Sequence, residues 1–271
     1  MRRALLLILL VPAALPSRAQ STGPAIEARL LDKPLYLRGA WLDDKLRFDS
    51  AGQLLGRSRT TSFTLAAIDI SRVDLQSNKL LLEGRRVGIQ FDKDVPTRVP
   101  LNAGKPQEPK DERIRIEIAA PPTHDFTAAL DAVFTTSPGD MLPTLPDFWQ
   151  TYVRKHFPPT APSAQPPATP DHTDPHIYRV GGGITPPRLV HMPEPEFDEA
   201  ARSLKVSGNS MVNMIVSTDG TTSRFAIVRP AGIGLDEKAI EAVRAYRFQP
   251  AMRNGQPVAV ELNVDVNFQI F

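Results

Sequence analysis

The sequence predicts an α+β protein in two unlike parts, and three features carry that expectation. Short alternating apolar runs fill residues 25–120, a proline-dense stretch follows residue 157, and residues 181–271 alternate amphipathic helix with strand. The expected architecture is a mainly antiparallel N-terminal β domain with capping helices, a proline-rich linker, and a C-terminal two-layer α+β domain, an antiparallel sheet with two helices.

A chain of 271 residues with 41% apolar content can build two modest cores. The net charge of +2 is dispersed among both signs, which argues against a nucleic-acid partner. Cysteine is absent, so disulfides, thiolate zinc sites, thiol catalysis and lipid attachment through an N-terminal cysteine are excluded.

Taken in order, "MRR", the apolar run Ala4 to Leu15 and "SRA" before Gln20 have the form of a secretory signal over residues 1–19. As a helix the apolar run would span about 18 Å, short of the roughly 30 Å hydrocarbon core. Export to the periplasm is expected, with an uncleaved inner-membrane anchor as the alternative.

Residues 20–157 form the expected β domain, from "LYLRG", "KLRFD", "SFTLAAIDI", "KLLLEGRRVGIQFD" and "RIRIEIAA", with turns at "DSAGQ" and "QSNK". Two helical segments, "HDFTAALDAVF" and "LPDFWQTYVRKHF", are expected to cap it. Residues 158–180 are the expected linker: seven prolines between Pro158 and His176 give a stiff spacer reaching about 60 Å.

In residues 181–271, "FDEAARSLKV" reads as a short helix and Gly208 as a break before a strand. Asp219-Gly220 reads as a hairpin turn, and Asp236 as the N-cap of a helix that buries Ala239, Ile240, Val243 and Tyr246. The last strand places Val260, Leu262, Val264, Val266, Phe268 and Ile270 on one face. In "YRFQPAMRNG", Tyr246 and Phe248 can insert between helix and sheet, Arg247 can serve the helix C-terminal carbonyls, and Pro250 ends the helix.

This order of elements, with "YRFQPA", then "NG" and a valine-rich strand, resembles the C-terminal domain of the TonB family of energy transducers over residues 177–271. The resemblance implies capture of an extended peptide, the TonB box of an outer-membrane receptor, as an added strand. It implies a site on the final strand, Val258, Val260, Leu262, Val264, Val266 and Phe268. It also implies that Glu194, Pro195 and Phe197 of "EPEFD" contact the receptor, although Asp198 replaces the family's second proline. TonB-dependent transport, and ExbB and ExbD as partners of an anchored form, follow from the same resemblance. A homodimer could instead cover the strand.

Other motifs point to no chemistry. "HTDPH" lies in the linker without a scaffold for a metal, and "GGGITPP" lacks the Lys-Ser/Thr of a phosphate loop. His124, His156 and His191 have no nucleophile in a recognisable setting, and the acid pairs Asp43-Asp44 and Asp111-Glu112 read as solvated charge. No cofactor, metal or enzymatic activity is expected. The alternative is a periplasmic scaffold whose β domain binds cell-wall glycan or another envelope protein, with the C-terminal domain as a docking module, which an exposed aromatic cluster around Tyr36 and Trp41 would favour; an envelope enzyme with a deep polar pocket in the β domain comes third. Residues 177–271 are expected to fold alone, on a core that needs nothing upstream.

Overall fold

In the computed structural model the described residues are 21–101, 113–160 and 176–270. The signal-like segment 1–19, most of the linker, the pair Asp111-Glu112 and most of "HTDPH" lie outside them. Among the described residues no helix is long and apolar enough to cross a membrane.

The N-terminal part contains α1 (Gly23–Leu30), β1 (Leu35–Leu37), β2 (Lys45–Phe48), β3 (Ala67–Leu75), β4 (Lys79–Asp92), β5 (Val95–Pro100), β6 (Arg113–Ala119), α2 (Thr127–Val133), β7 (Phe134–Thr135) and α3 (Asp147–His156). Its sheet runs β2-β6-β4-β3-β1-β7, with β5 paired to β4. The ladders are antiparallel except β2 on β6, where Lys45 lies beside Arg115 and Phe48 beside Ile118 in parallel register. The turn at Gln76 closes the β3–β4 hairpin through Gln76 N–H to the Lys79 carbonyl at 2.9 Å.

One element, α1, lies ahead of the first expected strand run. The alternation from Ala25 gives way to α1 because Thr22 accepts the Ala25 N–H, Pro24 sits in the first turn, and Ile26 and Leu30 are buried one turn apart. Helix α2 joins α1 in a core with Phe48, Ile68, Leu80, Leu82 and Ile116.

The C-terminal part contains β8 (Ile177–Arg179), β9 (Ile184–Thr185), β10 (Arg188–His191), α4 (Glu199–Ser203), β11 (Gly208–Val216), β12 (Thr222–Arg229), α5 (Leu235–Ala245), β13 (Arg247–Gln249), β14 (Ala251–Arg253) and β15 (Gln256–Phe268). Its main sheet runs β12-β11-β15-β14-β9, with β8 added to β15, while β10 and β13 form a separate pair. The Asp219-Gly220 turn is formed as expected, with Gly220 at a φ of 81°. A Cβ there would lie 1.8 Å from the Phe248 carbonyl oxygen, so glycine is required. The Asn254-Gly255 turn likewise has positive φ at both residues and joins β14 to β15.

Two local expectations change. Gly208 begins β11, and the turn out of α4 falls to Lys205 at positive φ, with Val206 N–H reaching back to the Ala201 carbonyl. Gly234 stands at the N-cap of α5, and Asp236 sits inside the helix. Its buried carboxylate accepts from Ala231 N–H, Gly232 N–H and Ser210 hydroxyl at 2.7–2.9 Å. It ties the loop ahead of α5 to β11.

The core of residues 177–271 is continuous with that of the N-terminal part. Trp149, Tyr152 and Val153 of α3 and Ile89 and Phe91 of β4 belong to one buried cluster with Val212, Ile233, Leu235, Ile240 and Phe268. Backbone bonds cross the same seam: Phe91 N–H to Ala231 carbonyl at 3.2 Å, and Ile233 N–H to Ile89 carbonyl at 3.0 Å. A Cβ on Gly232 would lie 2.1 Å from the Ile89 oxygen, so the loop passes against β4 only because that residue is glycine. Helix α3 was expected to cap the β domain; instead it also packs along β12.

Candidate functional site

Strand β15 is built to be buried on one face only. Val260, Val266 and Phe268 are buried, and Leu262 and Val264 are half-buried against the same helix-covered core. The opposite face is polar: Asn213 donates to Asn263 at 2.8 Å and Arg229 pairs with Asp265 at 2.8 Å. This alternation fixes the register and leaves the strand's hydrogen-bonding edges as the feature that can take a partner.

On its inner edge β15 pairs with β11 without interruption from Val260 beside Val216 to Phe268 beside Gly208. Its outer edge is mixed. Val258 is paired with Ala251 of β14, and Val260 has Tyr178 of β8 on its second side, in parallel register. These two expected positions are therefore covered. From Leu262 to Phe268 the outer edge has no partner strand among the described residues.

The second expected set lies near the far end of that strand. Phe197 stacks edge-on against Phe268 at 5.4 Å between ring centroids, while Glu194 is exposed and Pro195 half-buried. The structure thus brings Phe197 to the end of the open edge. Asp198 holds the N-terminus of α4 by accepting the Ala200 N–H at 2.9 Å, and burial raises its pKa. Its replacement of a proline has a local structural role.

Sequence reasoning passed over Ile177, Tyr178 and Arg179. Their signal was there: an apolar-aromatic-basic triplet directly after the proline-rich stretch. Nothing local, however, says which strand it joins. Trp149 was read as part of a capping helix, yet its indole N–H donates to Glu237 Oε1 at 2.7 Å across the seam. Burial, with the neighbouring Asp236 carboxylate, pushes Glu237 up to about 7. Ser62 and Trp149 hydrogen bonds oppose that rise.

A cavity of about 480 Å³ is lined by Arg85, Arg113, Arg115, Lys45, Asp44 and Glu83, without histidine, and Arg115 bonded to Glu83 holds that carboxyl below its usual range. Among the described residues no group of acidic or histidine side chains is placed to hold a metal. His156 stacks on Tyr152 at 4.3 Å, and His191 is exposed in β10. The aromatic surface expected for a wall-binding scaffold is not formed: Tyr36 is buried beneath Arg98, and Trp41 packs edge-on against Phe48.

The class of unit is thus a two-layer α+β domain with two helices and a mainly antiparallel sheet, to which β8 alone adds in parallel. The family described as Gram-negative bacterial TonB protein C-terminal matches residues 193–270, so this part of the chain is a TonB C-terminal domain. The protein TonB of Vibrio cholerae serotype O1 is 28% identical over 111 residues, which are 38% of this chain and 46% of that protein. The chain therefore spans about half the length of that curated relative. The solution structure of the Pseudomonas aeruginosa TonB C-terminal domain aligns with 34% of this chain and 90% of its own, at 17% identity and a TM-score of 0.25.

Proposed function

We propose that this chain is an envelope protein of TonB type. In this reading it captures the TonB-box peptide of an outer-membrane receptor by strand addition to β15 and serves TonB-dependent transport, as a binding protein rather than an enzyme. One observation carries the reading: β15 is laddered to β11 on its inner side from Val260 to Phe268 and, among the described residues, has no strand on its outer side from Leu262 to Phe268. A partner backbone satisfies those outward groups, and side chains at alternate positions supply selectivity. The division into 1–19 exported signal, 20–157, linker 158–180 and 181–271 belongs to the same proposal. So does an inner-membrane, ExbB- and ExbD-coupled role if the signal stays uncleaved.

The test is a proline scan of Asn263, Val264 and Asp265, with binding of a fluorescent TonB-box peptide from a receptor of the host read by anisotropy. Successive N–H groups of a strand point to opposite edges. Proline at an outward-pointing position abolishes capture and leaves the fold intact by circular dichroism; proline at an inward-pointing one breaks the β11 ladder and destabilises the fold. Unchanged affinity in every folded variant rejects the edge as the site.

A further inference from the structure

The outer edge of β15 already carries one short strand from this chain. β8 lies on it in parallel register, with Ile177 beside Ala259, Tyr178 beside Val260 and Arg179 beside Glu261. We propose that β8 is a resident stand-in for the partner strand. The peptide that replaces it would run parallel to β15, with an aromatic residue in the place of Tyr178 and a basic residue in the place of Arg179. This rests on the strand-addition reading and deepens it, because it names the direction and chemistry of the guest.

Three features of β8 support the exchange. Its recognition is specific: the Tyr178 ring packs against the core, with the Arg253 guanidinium 4.9 Å above its centroid. Arg179 reaches Glu261 at 3.9 Å. Its hold is weak, because the strand has three residues and Arg179 is 90% exposed, so the ion pair is solvated and adds little. Its exit is prepared. Gly181, Gly182 and Gly183 all take positive φ, with open space where each Cβ would stand, and the Gly181–Ile184 bridge turns the chain away. Beyond that turn the edge continues to Phe268 with no partner strand among the described residues. A longer guest that starts beside Ala259 gains every one of those further backbone bonds, which β8 cannot reach, and local opening of so short an element costs little.

The test uses the full chain, which has no native cysteine, with Arg179→Cys and Glu261→Cys introduced together. Neighbouring strands bring such a pair within disulfide range, and closure is confirmed by mass. Two probes are titrated by anisotropy: a TonB-box peptide of a host receptor, and a synthetic copy of residues 176–182, HIYRVGG. With β8 locked by oxidation, both peptides are expected to bind at least about tenfold more weakly than to the reduced form, with recovery on adding reductant. In Tyr178→Ser, which loosens β8, the HIYRVGG copy should bind about tenfold or more tightly than it binds wild type, because its tethered competitor is weakened. A copy with serine for tyrosine should bind more weakly.

A disulfide that does not form, or equal binding of the receptor peptide to oxidised and reduced protein, overturns the stand-in. If the receptor peptide is at the same time lost in the folded outward-proline variant, strand addition survives without it. If no folded proline variant alters binding, both readings fall. A doubling of mass on loosening β8, with no peptide gain, would assign the edge to a second copy of the chain and also overturns the proposal.

Discussion

The two outer edges of the C-terminal sheet meet opposite fates. Along β12 the edge is packed by α3, a helix from the other side of the proline-rich stretch. Along β15 the edge is covered by short strands over its first half and open from Leu262 onward. A sheet with two exposed edges invites indiscriminate pairing. Covering one with a helix and leaving a limited length of the other leaves less edge open to pairing, so the N-terminal part shapes which edge of the C-terminal sheet stays accessible.

The largest expected effect tests the covered edge. Trp149→Ala removes a fully buried indole and the Glu237 bond, and should cost about 3–5 kcal/mol in thermal or urea unfolding. Because the core is continuous across the seam, wild type should unfold in one transition. Two separate transitions in wild type would break the comparison, by showing that α3 leaves β12 without disturbing the sheet.

Next in size is a pH effect at the same seam. Glu237 is pushed up to about 7 in the fold from an ordinary value of 4.5, so the folded chain holds a proton that the unfolded chain has released. Stability from this group is therefore highest below about pH 4.5, declines as pH rises towards 7, and is flat above. Glu237→Gln should remove that decline and exceed wild type at pH 8 by up to about 3 kcal/mol. Parallel pH curves for the two proteins would show that the carboxylate is not buried in solution.

The smallest effect belongs to the polar face between the edges. Asn263→Ala breaks an exposed side-chain bond to Asn213 and should change stability by under about 1 kcal/mol, with peptide affinity unchanged. A large loss of affinity would move the binding surface from the edge of β15 to its face.

Much of this was legible in the sequence wherever the signal was local. Asp219-Gly220 and Asn254-Gly255 mark turns by their tolerance of positive φ, the α5 stripe by its period, and Arg247 by its reach to the Arg244 and Tyr246 carbonyls. The valine face of β15 follows from alternation alone. Helix α1 was not singled out because Ile26 and Leu30 suit either period until the Thr22 cap is weighed. The pairing of the outer edge was not legible for a different reason: alternation tells which face is buried, and says nothing of which edge is already paired. Val258 and Val260 look like Val264 in sequence, yet β14 and β8 occupy their outer side.

The sequence by itself determined the α+β class, the hairpins, the helix-covered face of the last strand and the TonB-type order of elements, because each depends on residues close together along the chain. Only the tertiary structure decided that Trp149 and Ile233 share a core, that half-buried Glu237 meets the Trp149 indole beside the buried Asp236, and that β8 lies on β15. Those are pairings between distant segments, chosen by which combination buries the most apolar surface and satisfies the most backbone groups, and no short stretch of the chain contains that choice.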